Sequence, residues 1–358
     1  MIDFRYHLVS IIAIFFALAT GIVLGAGPLS ETIDDTLADQ TSQLREENRR
    51  LHDELDTANE EHAYQEAFVN EVTPRLVAEQ LEGENVAVIA LPGAEDQIVT
   101  DVQEALQNSG ATAELLIRIE PSWTDPDSEP VLDQLATDLV SSGTELGEGN
   151  GFDRGATVLA SALLSRPADA EDGLDDAPQT VDTTVVSEYE DADLIELEQD
   201  TSTAPTLAVA IAGPVSGDDA EERYVRLTSL TQALDEYGDG VVLAGPSSTA
   251  EGGLLTALRN GDVGEDVSTV DVGDLPSGRV AVVFALTEQQ HDSVGHYGIV
   301  GDIDGALPPV PGGESDESGG SDGESDDSSE DSGDEPDSGD AGNDADDAED
   351  GADAGDEQ

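Results

Sequence analysis

Hydrophobic positions fall into three regimes along this chain of 358 residues. From Leu8 to Ala26 they are continuous, interrupted only by Ser10 and Thr20 and by no charge. About 19 residues rising ~1.5 Å each span ~28 Å, close to the ~30 Å hydrocarbon depth of a bilayer. The run is longer than the apolar core of a secretory signal, and Leu24 stands two before Ala26, where cleavage wants a small residue. It therefore predicts a retained anchor. Arg5 precedes it and Glu31, Asp34 and Asp35 follow, which by the positive-inside rule leaves the short N-terminus cytoplasmic and the bulk of the chain outside. Ala13, Ala17, Gly21 and Gly25 recur every four residues, and Gly21–Gly25 is a GxxxG. Small residues at that spacing let two membrane helices pack closely, although Gly and Ala are common in such helices in any case.

From Ser30 to Val72 the apolar positions thin to a stripe with a period of seven. Leu37, Leu44, Leu51 and Ala58 form one row, read as d; Thr41, Asn48, Leu55 and His62 form the matching a row. Glu46, Glu47, Arg49, Arg50, Asp53 and Glu54 crowd the remaining faces. The spacing predicts a parallel, two-stranded coiled coil, with Asn48 setting register at some cost in stability; a lone solvated stalk is the alternative. Pro74 predicts the end of the continuous helix.

Between Glu82 and Val310 short apolar runs alternate with amphipathic ones. Val86–Leu91, Ala113–Ile117, Leu207–Ile211 and Val241–Ala244 read as buried strands, and Val280–Phe284 as a last one. Helices are predicted through Ile98–Leu106, Val131–Val140, Ala156–Leu164, Glu221–Tyr237 and Leu254–Leu258, with another over Thr287–His296 closing the domain. Asp169–Ser202 reads as an irregular acidic excursion. Continuous apolar strands separated by helices predict an α/β domain with a mostly parallel sheet covered on both faces. The organisation is thus an N-terminus and anchor over 1–29, a stalk over 30–73, an extracytoplasmic domain over 82–310, and a tail over 311–358.

That tail holds 21 acids from Glu314 onward and no base, with little that is apolar, so it predicts disorder. The whole chain carries a formal net charge of −70 and stays strongly negative without the tail; its 12 basic residues are all Arg. At ordinary ionic strength such a surface repels itself, whereas molar salt shortens the Debye length to ~3 Å. Adaptation to high salt is the simplest reading, a dedicated cation-binding surface the alternative. Nucleic acid is not a partner for this field.

Candidate chemistry is sparse. There is no Cys, and the single Met is Met1, so no thiolate nucleophile, disulfide or soft thiolate ligand set exists. Three predicted strands end in Pro/Gly turns: Leu91-Pro92-Gly93, Ala212-Gly213-Pro214 and Ala244-Gly245-Pro246. Parallel sheets bind ligands at such ends, and Ser247, Ser248 and Thr249 offer hydroxyls there. No GxGxxG, P-loop or GxSxG accompanies them, which favours ordinary turns and helix caps. His291 and His296 flank Asp292 and form the one candidate copper or zinc site, at a spacing that does not share a helical face. No acid pair stands out as general acid and base, so the chain reads as non-enzymatic.

The opening Met1-Ile2-Asp3-Phe4-Arg5-Tyr6-His7-Leu8-Val9-Ser10, running straight into the apolar segment and Gly21–Gly25, closely resembles the start of the actinobacterial family named after mycobacterial copper transport protein B. The order of anchor, short coiled coil and exterior α/β domain, over residues 1–310, is similar to that family too. The resemblance implies a membrane-anchored role in copper homeostasis, with no cofactor expected other than a candidate copper ion. A corynebacterial relative implies instead an envelope scaffold in cell division or wall assembly, working with a membrane partner. Cu(I) selects soft sulfur ligands, which this chain lacks, and one membrane helix makes no pore alone. These two facts favour scaffolding over conduction as the mechanism.

Overall fold

The computed structural model describes residues 4–25, 29–141, 144–166, 180–201, 203–250 and 252–309. The acidic tail over 311–358 lies outside the described residues, as does 167–179 within the expected acidic excursion.

The apolar run forms α1 (Phe4–Gly25), exposed along its whole length and long enough to cross a membrane. The stalk forms α2 (Leu29–Leu76), 48 residues and so ~72 Å long. Pro74 does not end it: α2 runs two residues further, the Thr73 hydroxyl donates to the Val69 carbonyl, and Val77 N–H donates to Thr73. Among the described α2 side chains, solvent is lost first near the C-terminus, at Glu66, Val69, Val72 and Thr73, and then at Val77 just beyond. These residues sit three or four apart, so they share one helical face.

The domain that follows runs β1 (Val86–Ala90), α3 (Asp96–Asn108), β2 (Leu116–Ile119), α4 (Glu129–Leu139), α5 (Gly151–Leu163), α6 (Thr183–Asp191), β3 (Ile195–Gln199), β4 (Leu207–Ile211), α7 (Ala220–Tyr237), β5 (Val241–Ala244), α8 (Leu254–Arg259), β6 (Ser268–Val270), α9 (Pro276–Gln289) and β7 (His296–Tyr297). The seven strands form one sheet in the order β3-β2-β1-β4-β5-β6-β7, parallel throughout except for antiparallel β3 at the edge. Strand residues alternate between two cores. Ala87, Ile89, Ala208, Ala210 and Leu243 face the layer of α4 to α8, where Trp123 stacks on Tyr189 at 6.0 Å between ring centroids. Val86, Val88, Val209, Ile211 and Val242 face α3 and α9, joined by Val77 and Leu81 from the end of the stalk. Both sides of each central strand are apolar, as a sheet covered on both faces requires.

Several expectations are corrected. Val280–Phe284 is not a strand but the middle of α9. Every residue from Val280 to Leu286 is buried, because α9 has the sheet on one side and α2 and α3 on the other. A helix enclosed all round loses its amphipathic signature, and only the Pro276 start marks it. The helix expected over Thr287–His296 ends at Gln289, and His296 belongs to β7. The acidic excursion contains α6, capped by the Asp182 carboxylate on the Thr184 and Val185 amides, and the edge strand β3. The strand expected over Ala113–Ile117 forms three residues later, as β2. β6 and β7 have three and two residues, too few to show a period.

At the end where β4 and β5 begin, acids crowd. The Asp235 carboxyl is pushed up to about 7, first by burial and then by the Asp266 and Glu236 carboxylates, against the opposing pull of Arg166 and the Val241 amide. Asp239 is shifted upward by burial and by Glu84 and Asp292. A carboxyl whose folded pKa exceeds its unfolded value holds its proton better in the folded state, so stability falls as pH rises between the two values. Stability to denaturant should therefore decline from about pH 4 to about pH 7. Asp235→Asn should flatten that slope and stabilise the neutral protein by about 1 kcal/mol at low salt, the gain shrinking in molar salt. Urea titrations at several pH values, at low and high salt, measure both.

Candidate functional site

In doubly wound sheets a ligand crevice opens where neighbouring strands send their connections to opposite sides, here between β1 and β4. In this protein that crevice is closed by backbone. Leu91 N–H donates to the Ile211 carbonyl at 2.9 Å, and the turns after the two strands lie against each other. A Cβ on Gly213 would sit 1.8 Å from the Gly93 carbonyl carbon, and Gly93 itself adopts φ +84°. The glycines permit contact between the turns rather than approach of a phosphate. The third turn is equally occupied: Ser247–Thr249 is a single 3₁₀ turn, and the buried Thr249 hydroxyl donates to the Pro246 carbonyl at 2.6 Å. The Thr249 hydroxyl thus serves the turn, as expected of an ordinary turn.

Polar chemistry gathers instead at the other edge of the sheet. Arg259, the last residue of α8, is 6% exposed and pairs with fully buried Asp271 at 3.1 Å. Its Nε donates to the Thr269 hydroxyl at 2.7 Å, and its terminal nitrogens donate to the carbonyls of Val300 (2.7 Å) and Tyr297 (3.4 Å). Asp271 also accepts from the amides of Ile299 (2.8 Å) and Val300 (3.1 Å). One ion pair thus ties α8, β6 and the segment after β7 together, with its charges hydrogen-bonded on both sides. Gly298 is at φ +140°, where a Cβ would meet the Asp271 carboxylate at 1.9 Å, so only glycine lets the segment come this close.

Beside this clamp lies a cavity of about 440 Å³ lined by Thr256, Arg259, Asn260, His296, Asp302 and Asp304 among others. The His296 ring Nδ1 meets the Thr269 hydroxyl at 3.1 Å, and the backbone amide of His296 donates to Asp304 at 2.8 Å. Burial and the Arg259 charge hold its pKa below the usual imidazole value, against the pull of Asp304, so the ring is neutral near pH 7. His291 stands apart on the turn after α9, its Nδ1 on the Thr287 carbonyl at 2.7 Å. The two imidazoles expected to share a metal therefore have separate hydrogen-bond partners. Among the described residues of one chain, no three His, Cys, Asp or Glu side chains are grouped to hold a metal ion. The Arg259–Asp271 clamp was not foreseen. Its sequence signal is slight: an acid directly after Val267-Ser268-Thr269-Val270, a stretch only half apolar, and a basic residue closing an apolar helix.

Each set of anchor and stalk residues lies within one helix. Ala13, Ala17, Gly21 and Gly25 are all in α1, and a Cβ on Gly21 or Gly25 would meet nothing within 4 Å. Thr41, Leu44, Asn48, Leu51, Leu55, Ala58 and His62 are in α2, and Leu44, Leu51 and Leu55 are each more than half exposed. The Leu37 side chain lies outside the described part of α2. His62 Nδ1 lies 3.8 Å from the Glu66 carboxylate one turn on. Next to it, a groove of about 350 Å³ runs between α2 and the start of α9, lined by His62, Glu66, Phe68, Val69, Leu275 and Pro276 among others.

Comparison with known proteins adds a finding of a different kind. A family model described as copper transport outer membrane protein MctB matches residues 1–308. The copper transporter MctB of Mycobacterium leprae is 30% identical over 321 residues, which covers 84% of this chain and 96% of that protein. Proteins of the same name from Mycobacterium tuberculosis and Mycobacterium bovis are each 28% identical over 313 residues, 83% of this chain and 96% of theirs.

Replacing Asp271 by Ala should strand a buried guanidinium and two amides, at a cost of about 3–5 kcal/mol. Amide hydrogen exchange should accelerate at Ile299 and Val300 well before global unfolding, whereas Asp271→Asn, which keeps one acceptor, should do less.

Proposed function

The chain belongs to the MctB copper transport family, and from that premise we propose that it works as a single-pass, membrane-anchored dimer in copper homeostasis at the cell envelope. Its N-terminus is cytoplasmic, its α/β domain is extracytoplasmic, and its role is to scaffold rather than to catalyse. The observation that carries this reading is the stripe of Leu44, Leu51 and Leu55, solvent-exposed on a single 48-residue helix that follows a membrane-length one. An exposed leucine row at heptad spacing is costly in water and is relieved by a second copy in parallel register. The small-residue face of α1 favours the same parallel pairing in lipid.

Copper enters as cargo. The strands of the domain are two to five residues long, mostly parallel and buried on both faces in the centre. A transmembrane barrel needs antiparallel strands of about 9–11 residues alternating in polarity. Passage of the ion across the membrane therefore falls to a membrane partner, which the exterior domain is built to meet. A second reading, an envelope scaffold in division or wall assembly, draws support from the closed crevice between β1 and β4. Cells lacking the chain separate the two: copper hypersensitivity with normal shape supports the first, and misplaced septa with normal copper tolerance the second.

The dimer has a direct test, since the chain contains no Cys. Leu51→Cys, at a d position, should form a disulfide-linked dimer in membranes under mild oxidation, while Asp53→Cys on the outer face should not. Equal cross-linking at both positions, or none at either, would contradict the parallel seam.

A further inference from the structure

The face of α2 that carries the leucine stripe is the same face that later docks on the domain. His62 follows Leu55 by seven residues, and Val69 follows His62 by seven. Leu55 is exposed, whereas Val69 is partly covered and lines the groove with Leu275 and Pro276 at the start of α9. One stripe is therefore open for a second copy through Leu55 and Ala58, borders the groove of the chain's own domain at His62, and is partly covered by that domain from Val69 on. His62 is the last a position at which two stalks can face each other before they part.

We propose that the two His62 side chains of the parallel dimer bind one Cu(II) ion between them, at the point where the stalks fork. The proposal rests on the dimer reading above. Equivalent a residues of a parallel two-stranded coil face each other across its axis, so two imidazoles meet there. Metal sites in helical bundles are built in this way, from side chains on facing helices. The Glu66 carboxylate lies 3.8 Å from His62 Nδ1, beyond hydrogen-bond distance in the single chain; a small approach on metal binding would let it accept from Nδ1–H and leave Nε2 to the ion. Glu66 is thus a positioning residue and His62 the ligand.

The choice of ion follows from the donors. Neutral imidazole nitrogen with water or carboxylate oxygen suits Cu(II), which such sites bind more tightly than other divalent first-row ions. The adjoining groove of about 350 Å³ leaves room for waters that complete the coordination and for the ion to enter. One chain gathers no three metal-binding groups among its described residues, but a parallel dimer would bring two imidazoles to one layer, each with a Glu66 carboxylate beside it.

The test uses the full chain in detergent micelles at molar salt, titrated with Cu(II) and read by electron paramagnetic resonance. One ion per two chains is expected, with hyperfine structure from two equivalent nitrogens. His62→Ala should abolish that signal while leaving Leu51→Cys cross-linking intact in a parallel sample. Glu66→Gln should weaken binding by about tenfold or more without changing the nitrogen count. A dimer that cross-links at Leu51→Cys yet shows no such signal overturns the site and leaves the dimer standing. So does one ion per chain, or a nitrogen signal that survives His62→Ala and is lost with His291→Ala and His296→Ala together. Displacement of the ion by equimolar Zn(II) overturns the choice of copper. Absence of cross-linking overturns the dimer, and the site with it.

Discussion

The α/β domain of this protein is organised around the burial of α9. That helix is apolar on every side from Val280 to Leu286, and no single neighbour can cover it. The sheet takes one side, through Val209, Ile211 and Val242, and α2 and α3 take the other. The stalk is thereby part of the core: Val77 and Leu81, at the end of the long helix and just past it, are buried with the strands. A long helix that ends inside the hydrophobic core of a domain transmits position, because displacing it would expose the apolar surface of α9. The stalk and the sheet are coupled by packing rather than by a flexible linker.

The same economy governs the sheet. A doubly wound topology offers a crevice between β1 and β4, and here Gly93 and Gly213 bring the two turns into contact across it. The fold keeps the architecture of a nucleotide-binding sheet while closing its usual binding place. Polar groups are concentrated at the β7 edge, where Arg259 and Asp271 hold down the segment from Gly298 to Val300. That arrangement is rigid and nearly fully satisfied, which suits a surface that must keep one shape more than it suits a reacting centre.

Much of this was legible in the residues, for definite reasons. β1, β4 and β5 are uninterrupted apolar runs closed by Gly and Pro, a pattern few other elements share. The leucine spacing of α2 is visible because most other stalk positions are polar. The failures have equally definite causes. α9 carries an apolar run as uniform as a buried strand's, and periodicity cannot separate the two. β6 and β7 are held by their neighbours in the sheet rather than by any local preference, so three and two residues leave no trace. At the candidate site, the metal-binding chemistry of His296 is visible in the sequence, but its partner Thr269 and the Arg259–Asp271 pair depend on contacts 10 to 41 residues apart, which only the fold brings together.

One detail of the core has a practical meaning. Trp123 is the chain's single tryptophan, fully buried in the layer of α4 to α8 and stacked on Tyr189. Neither the anchor nor the stalk contains an indole. Intrinsic fluorescence excited in the indole band therefore reports on one face of the domain alone, without contribution from the membrane or the stalk. The red shift on exposing Trp123 marks melting of that layer, while the helical signal in the far ultraviolet sums over all three regions. The molecule thus carries its own optical label, placed where it can tell an unfolded domain from a separated stalk.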